Sequence, residues 1–586
     1  MTPRRFLPLF VALLLVAAAG CSTSREATQP NPAPPPSDTE ASETGAPETE
    51  EAPPADTEAP APREEPGGPP AEPAAPNERE DAERENGTAA GPVPTDWQHL
   101  SAGAGGYPGI ATERAYDWLG DRAPQDTVVV AVLDGGVDPD HEDLDGVLWT
   151  NAGEVPGNGE DDNGNGYVDD THGWNFLGNA SGENVEHDTF EVTRLYVELR
   201  DPYEGANPDT LTAAERETYR RYQRIKADFQ KQKQQYEQRY DQVQQIARFV
   251  EQARPLLVQQ AARLVSGLLE RTDTADLATL AEDLQKAEEQ LRTRAEYNFN
   301  PDYNPRPIVG DDYSDATERI YGNADVQGPD AGHGTGVASL IAAERDNDLG
   351  IRGVAGAVRI MPVRAVPGGD ERDKDVANAI RYATNNGADI INMSFGKAYS
   401  PRKEVVDAAV RHAEDEGVLM VHAAGNDGAD VDTTDSYPSA HYADGSGAAD
   451  NWIEVGASTA EGDSLLAAPF SNYGGERVDL FAPGASMQVA RPGDAYGRAQ
   501  GTSFAAPVVS GVAALVMAYY PSLSAEQVKE AILSSATSRA GQMVKRPGRP
   551  SGGSGGGERV RFGTLSRTGG VANAYAALRA AERMAE

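Results

Sequence analysis

Cysteine is nearly absent: a chain of 586 residues holds one, Cys21. One thiol cannot build a disulfide framework or a cysteine-ligated zinc site. Basic side chains are the minority, 51 against 93 acidic, and the formal charge is −42. A nucleic acid gripped through its phosphates needs a basic face, so binding of that kind is excluded. Only nine of the basic residues are lysines, a bias that a salty habitat or a GC-rich genome would each produce. Aromatic residues are missing altogether from positions 22–95. Hydrophobic residues still make up 39% of the chain, enough for a sizeable core. The length suits several domains, or one large domain carrying insertions.

The first 21 residues read as a targeting segment. Arg4 and Arg5 precede an apolar run over 6–19 that is too short to span a bilayer. Ala18-Ala19-Gly20-Cys21 resembles a bacterial lipoprotein signal, in which the cysteine becomes the lipidated first residue; plain cleavage after Ala19 is the other reading. Positions 22–95 hold 17 prolines, 17 acidic and four basic residues. Such a stretch cannot bury enough apolar surface to offset its chain entropy, so a disordered, extended linker is expected. It would tether a folded domain, residues 96–586, to a membrane. It also lacks the apolar pattern of a folded domain.

Beyond Trp97 the pattern changes. Continuous apolar runs over 127–133, 360–366, 390–394 and 418–423 have strand length, and helix-like segments over 334–343, 375–385 and 403–416 lie among them. This alternation predicts an α/β fold: a parallel sheet with helices on both faces. In such sheets ligands sit beyond the carboxyl ends of the strands.

Three polar motifs fall at fitting places. Leu133-Asp134-Gly135-Gly136-Val137-Asp138 follows the first strand. Gly332-His333-Gly334-Thr335-Gly336-Val337-Ala338 puts a histidine at a helix start among small residues. Gly501-Thr502-Ser503-Phe504-Ala505-Ala506-Pro507 opens a helix running to Tyr519, with Ser503 as its N-cap and Pro507 at the fourth helical position, where no intrahelical bond is lost. Each motif alone has a structural reading: a turn aspartate, a core histidine, a capping serine. Together, in the chain order Asp, His, Ser, they resemble the subtilisin-like serine peptidases, or subtilases. Asn392-Met393-Ser394-Phe395-Gly396, Ala423-Ala424-Gly425-Asn426, Phe470-Ser471-Asn472-Tyr473-Gly474 and Phe481-Ala482-Pro483-Gly484 extend the resemblance from Trp97 to the C-terminus, apart from one insertion.

The resemblance implies a secreted serine endopeptidase. Ser503 is the nucleophile, His333 its base, and Asp134 the carboxylate that orients the histidine and stabilises the imidazolium. Asn426 and the backbone N–H of Ser503 would receive the oxyanion. Ser394, Phe395, Gly396, Ala423, Ala424 and Gly425 would line the substrate cleft, where an extended peptide adds as a strand. Peptides or proteins are the implied substrates. The chain departs from the family at Gly336, where a second histidine or similar residue is usual, and at Val508, where histidine is usual; neither belongs to the triad, so altered packing is expected. The second reading is a subtilase-shaped binding or scaffold protein acting through the insertion. A monomer is expected, either anchored at the cell envelope through Cys21, on the periplasmic or outer-membrane face, or secreted.

Asp161-Asp162-Asn163-Gly164-Asn165-Gly166-Tyr167-Val168-Asp169-Asp170 has side-chain oxygens at alternate positions and glycine at the sixth. It imitates the start of an EF-hand loop but has His172 at position twelve. Calcium on Asp161, Asn163, Asn165 and Asp169 is one reading, with Asp170 as the alternative source of the last carboxylate; a hydrated Asx turn is the other.

Asp134 and His333 are separated by a helical insertion over about 200–300, rich in Glu, Gln, Arg, Leu and Ala. Tyr222, Phe229, Tyr236, Val243 and Val250 recur every seven residues, with Tyr219, Tyr240 and Ala247 beside them. Lys226 and Lys233 interrupt that seam, so a hairpin or small bundle is expected rather than an ideal coiled coil. Pro255 should end the first helix, with further helices over 256–270 and 277–294. The insertion is either a spacer or a device that restricts substrates. A glycine-serine linker over 551–557 precedes a closing helix.

Overall fold

The computed structural model describes residues 93–101, 106–265, 288–548 and 557–586, with backbone alone for 249–265. The signal segment with Cys21, most of the acidic linker, part of the insertion and nearly all of the glycine-serine linker lie outside these.

Among the described residues the helices of eight residues or more, in chain order, are α1 (Thr112–Leu119), α2 (Glu191–Tyr203), α3 (Ala213–Val265), α4 (Gly332–Ala342), α5 (Asp373–Asn385), α6 (Lys403–Asp415), α7 (Thr502–Tyr519), α8 (Ala525–Ser534) and α9 (Ala574–Ala585). The strands are β1 (Val128–Asp134), β2 (Trp174–Asn175), β3 (Val358–Arg364), β4 (Ile390–Met393), β5 (Leu419–Ala423), β6 (Trp452–Ser458), β7 (Leu480–Pro483), β8 (Met487–Arg491), β9 (Ala495–Ala499), β10 (Thr537–Ser538), β11 (Met543–Lys545), β12 (Arg559–Arg561) and β13 (Gly570–Val571). Nine form one sheet in the order β10-β13-β7-β6-β5-β4-β1-β3-β2. Every pairing in it is parallel except β10 with β13.

The unbroken apolar strands follow from burial on both faces. Along β1, Val128, Val130 and Val132 enter one core cluster with α4, α7 and α9, whereas Ala131 and Leu133 enter another with α5 and α6. Helix α7 is long and apolar enough to cross a membrane, but 83% of it is buried inside the fold. Its hydrophobicity is that of a core helix.

β1 sits between β3 and β4. The chain therefore builds outward on one side of β1, then crosses to the other. The crevice opened by that reversal lies at the carboxyl ends of β1 and β4, and Asp134 and Ser394 stand there.

Two expectations about helices need correcting. α3 runs through Pro255 without ending and reaches Val265, 53 residues or about 80 Å. A mid-helix proline costs about 3 kcal/mol, but long runs of good helix formers on both sides keep the helix cooperative across it. The N-terminal part of α3 is not a free coiled-coil strand. Tyr222, Ile225, Phe229, Tyr236 and Val243 are buried against Leu195 and Leu199 of α2 and against Leu291 and Phe299. The predicted stretch over 256–270 is the end of α3 as far as Val265. The one over 277–294 is described only from residue 288, where helix continues into a π-helical turn, Arg294–Asn298. The closing helix is α9, capped by the Asn573 side chain.

The second correction concerns Ser503. The N-cap of α7 is Gly501, so Ser503 is the second helical residue and Pro507 the sixth. At the sixth position proline does remove a bond, the one its N–H would have made to the Ser503 carbonyl.

Candidate active site

Asp134 ends β1, 3% exposed. Its Oδ1 accepts the N–H of Gly135 at 2.7 Å, and both carboxylate oxygens lie 2.9 Å from Nδ1 of His333. His333 is the second residue of α4. The helix can come this close because Gly334 has no side chain: a Cβ there would stand 2.1 Å from the Gly136 carbonyl oxygen. Thr335, on the next position, accepts the Asp138 N–H at 2.8 Å and locks the turn after β1 to the helix.

The His333 side chain keeps 42% exposure, so it reaches solvent rather than lying in a sealed core. Burial of the ring disfavours its charge, but the charge and hydrogen bond of Asp134 outweigh that. The imidazole pKa is held above its usual 6.5, with Asp330 adding to the rise and Arg491 opposing it. With Nδ1 committed to Asp134, Nε2 is the nitrogen left to exchange a proton with substrate or nucleophile.

Ser503 is partly exposed at the start of α7, where its neighbours are buried. Its carbonyl, deprived of a donor by Pro507, accepts instead from Ser394 Oγ at 2.8 Å. Ser394 is held by Asn392 Nδ2 at 2.9 Å, and Asn392 Oδ1 accepts from Ser510 Oγ on α7 at 2.9 Å. The ring of Phe504 lies 5.3 Å from that of His333 and brings the two helix starts together. Among the described residues no hydrogen bond joins Ser503 Oγ to His333. In serine enzymes without substrate this bond is often long.

Asn426 follows β5. Its Oδ1 accepts from the N–H of Thr502 at 2.8 Å and from Thr502 Oγ1 at 3.2 Å. That orients the amide, so its N–H₂ is the end directed away from Thr502. The backbone N–H of Gly425 in turn donates to Thr502 Oγ1 at 3.0 Å. Ser394, Ala423 and Ala424 are buried, Phe395 and Gly425 half-buried, and Gly396 exposed. Gly336 packs closely here: a Cβ would stand 3.2 Å from Val489 and 3.3 Å from Phe504, so a larger residue would require those side chains to shift; Val508 is fully buried.

Some residues that shape the site carried no sequence signal of their role. Asn472 accepts the N–H groups of Asp427 and Ala429 and donates to the Ala424 carbonyl, bracing the loop that presents Asn426. Asp188 and the segment 303–312 take part in two groups of buried ion pairs. Asp188 meets Arg372 at 2.6 Å, and Asp311 meets Arg306 at 2.6 Å and Lys374 at 2.7 Å. Lys397, one residue beyond Gly396, joins Glu191 of α2 at 2.9 Å and Asp373 of α5 at 2.7 Å. Buried charges are tolerated when paired in this way.

The calcium loop is divided. Asp161 Oδ1 accepts the N–H groups of Gly164 and Asn165, and Oδ2 that of Gly166. Asn163 and Asn165 each accept an N–H two residues on, at 2.8 Å. These three therefore gather at one turn. Asp169 does not: its carboxylate turns to the N–H groups of Asn158 and Gly159. Asp170 is buried and bonded to Asn151, Asn165 and Tyr382. Asp161, Asn163 and Asn165 thus share one turn as acceptors of its N–H groups, while Asp169 lies apart from them; among the described residues no three His, Cys, Asp or Glu side chains gather as a metal site.

Comparison with known proteins agrees with this geometry. The model of the subtilase family, Peptidase_S8, matches residues 125–548. Subtilisin DY of Bacillus licheniformis is 37% identical over 210 residues, 35% of this chain and 70% of that protein. Subtilisin BL of Lederbergia lenta is 39% identical over 209 residues, 35% of this chain and 71% of its own. Subtilisin E of Bacillus subtilis is 37% identical over 209 residues, covering half of that protein. A parallel sheet with Asp134 and His333 bonded at the end of its first strand, matched over most of its length by one family model, leads to a single assignment: the chain belongs to the subtilase family of serine peptidases.

Proposed function

We propose that the protein is a secreted endopeptidase that cleaves peptide bonds through an acyl-enzyme, with Ser503 as nucleophile, His333 as base and Asp134 as the orienting carboxylate. The observation that carries this reading is the hydrogen bond between His333 and Asp134, made where α4 meets the start of α7. A serine hydroxyl is a weak nucleophile at neutral pH and needs such a base. Ser503 Oγ attacks the peptide carbonyl carbon while its proton passes to His333. The carbonyl electrons move onto the oxygen, where the Asn426 amide and the Ser503 N–H receive them. Collapse breaks the C–N bond, and His333 returns the proton to the leaving amine. Water, activated by the same histidine, then releases the acid.

The substrate lies along residues 394–396 and 423–425 in this reading. Cys21 carries the lipid anchor that holds the domain at the cell envelope, and the acidic linker is its tether. The enzyme works as a monomer on peptides and unfolded or folded proteins.

Labelling with a fluorophosphonate probe tests the chemistry. The unaltered chain should be labelled and Ser503→Ala should not; absence of labelling in both would leave a binding or scaffold protein. A structural calcium ion, held by Asp161, Asn163 and Asn165, belongs to the same proposal. EGTA should lower the melting temperature, and an unchanged melt removes the ion.

A further inference from the structure

His422 repeats the chemistry of the catalytic histidine in a sealed setting. It lies on β5, fully buried, directly across from Glu454 on β6 in the parallel register. Its Nδ1 is 3.0 Å from both Glu454 oxygens, and its Nε2 is 2.9 Å from the carbonyl oxygen of Phe395. A neutral imidazole has one donor and one acceptor nitrogen. Here both nitrogens face acceptors, and a neutral ring would set a lone pair against an oxygen. The pair geometry therefore selects the imidazolium.

The surroundings support a cation. Glu454 is fixed by Trp452 Nε1 at 2.8 Å, and its backbone N–H donates to Asp479. Burial works against the charge on His422, but Glu454, its hydrogen bond, the Phe395 carbonyl and Glu371 together raise the pKa above 6.5. Glu371, from the segment before α5, is itself buried and pushed up to about 7, with Lys397 opposing that rise. The groups around His422 are thus Glu454 on β6, Glu371 and, beyond it, Lys397.

The Phe395 carbonyl matters because of its place. Ser394 on one side donates to the carbonyl of Ser503. Lys397 on the other side pairs through its backbone with Tyr437, at 2.8 and 2.9 Å. Between these two fastenings the half-buried Phe395 and exposed Gly396 form the substrate-facing stretch. Their anchor to the sheet is the bond from His422.

We propose that His422 is a positioning residue for the peptidase reaction: its imidazolium, braced by Glu454, holds the Phe395 carbonyl and so sets the cleft wall that receives the residue before the cut bond. This rests on the hydrolase reading above, with residues 394–396 as substrate contacts.

Two measurements test it. In the full-length chain carrying ¹⁵N-labelled histidine, the His422 signals, assigned by their loss in His422→Gln, should show both ring nitrogens protonated at pH 7. A neutral ring at that pH overturns the proposal. In kinetics with peptides that vary the residue before the cut bond, His422→Leu should raise KM about tenfold, the scale of a lost bond from a charged donor, with kcat changed less than about threefold. His422→Gln, which keeps an N–H donor, should recover most of that loss. An unchanged KM in both variants, or an equal fall in kcat for both, overturns it. Should His422→Leu not fold, His422→Gln and the spectra of the unaltered chain still decide. Failure of the probe to label the unaltered chain defeats the hydrolase reading; labelling with an unmoved KM defeats only the role of His422.

Discussion

The molecule contains two histidine–carboxylate pairs of nearly equal geometry, His333 with Asp134 at 2.9 Å and His422 with Glu454 at 3.0 Å. In both, the carboxylate raises the imidazole pKa against burial. They differ in what meets the second nitrogen. His333 stands at a helix start and keeps 42% of its side-chain surface open. His422 is closed in by the sheet, and the Phe395 carbonyl occupies its far side. The same pair is thus suited to carry a proton where one nitrogen is open and, in the role proposed for His422, to hold a fixed charge where both are occupied.

Removing the open histidine should have the largest effect. His333→Ala should lower kcat on the order of 10⁶-fold, the scale found when the corresponding group is removed from subtilisin, with the melt nearly unchanged because the ring is half exposed. Assay with a chromogenic peptide checks this, and a loss under a hundredfold would erase the distinction between the two pairs. Next comes the amide on the open side. Asn426→Ala should lower kcat by about 10²–10³-fold with little change in KM, and an effect confined to KM would make Asn426 a binding residue.

The pH profile sharpens the comparison with a smaller change. The proposed mechanism needs neutral His333, so kcat/KM should fall as pH drops through a pKa above 6.5. Stability runs the other way. A histidine whose folded pKa is raised contributes fully below its unfolded value and loses that contribution as pH rises through the folded one. Mild alkalinity should thus activate the enzyme while slightly weakening the fold. A kcat/KM limb centred below 6.5 would break this account.

Much of the frame was legible in sequence because parallel strands buried on both faces are continuous apolar runs. β1, β4 and β5 lie within a residue or two of their expected bounds, and the loops after them carry the polar motifs. What local pattern could not reveal was pairing across the sheet. His422 and Glu454 are 32 positions apart and meet only through strand register. Asn472 reaches its loop across a wider gap, 43 to 48 positions. The ion pairs at the root of α2 join residues brought together only by the packed helical segment. The misjudged start of α7 has a local cause: Thr502 and Ser503 are both good cap residues, yet Gly501, with φ 148°, takes the non-helical position.

Pro507 leaves a vacancy in the bonding of α7, and a strand-end hydroxyl 109 residues earlier fills it. A fault in one helix thereby becomes a socket for the neighbouring wall, which in the proposed mechanism seats the nucleophile against the surface that receives the peptide. Ser394→Ala should consequently be felt at Ser503 as well as in the cleft, since losing the plug loosens both.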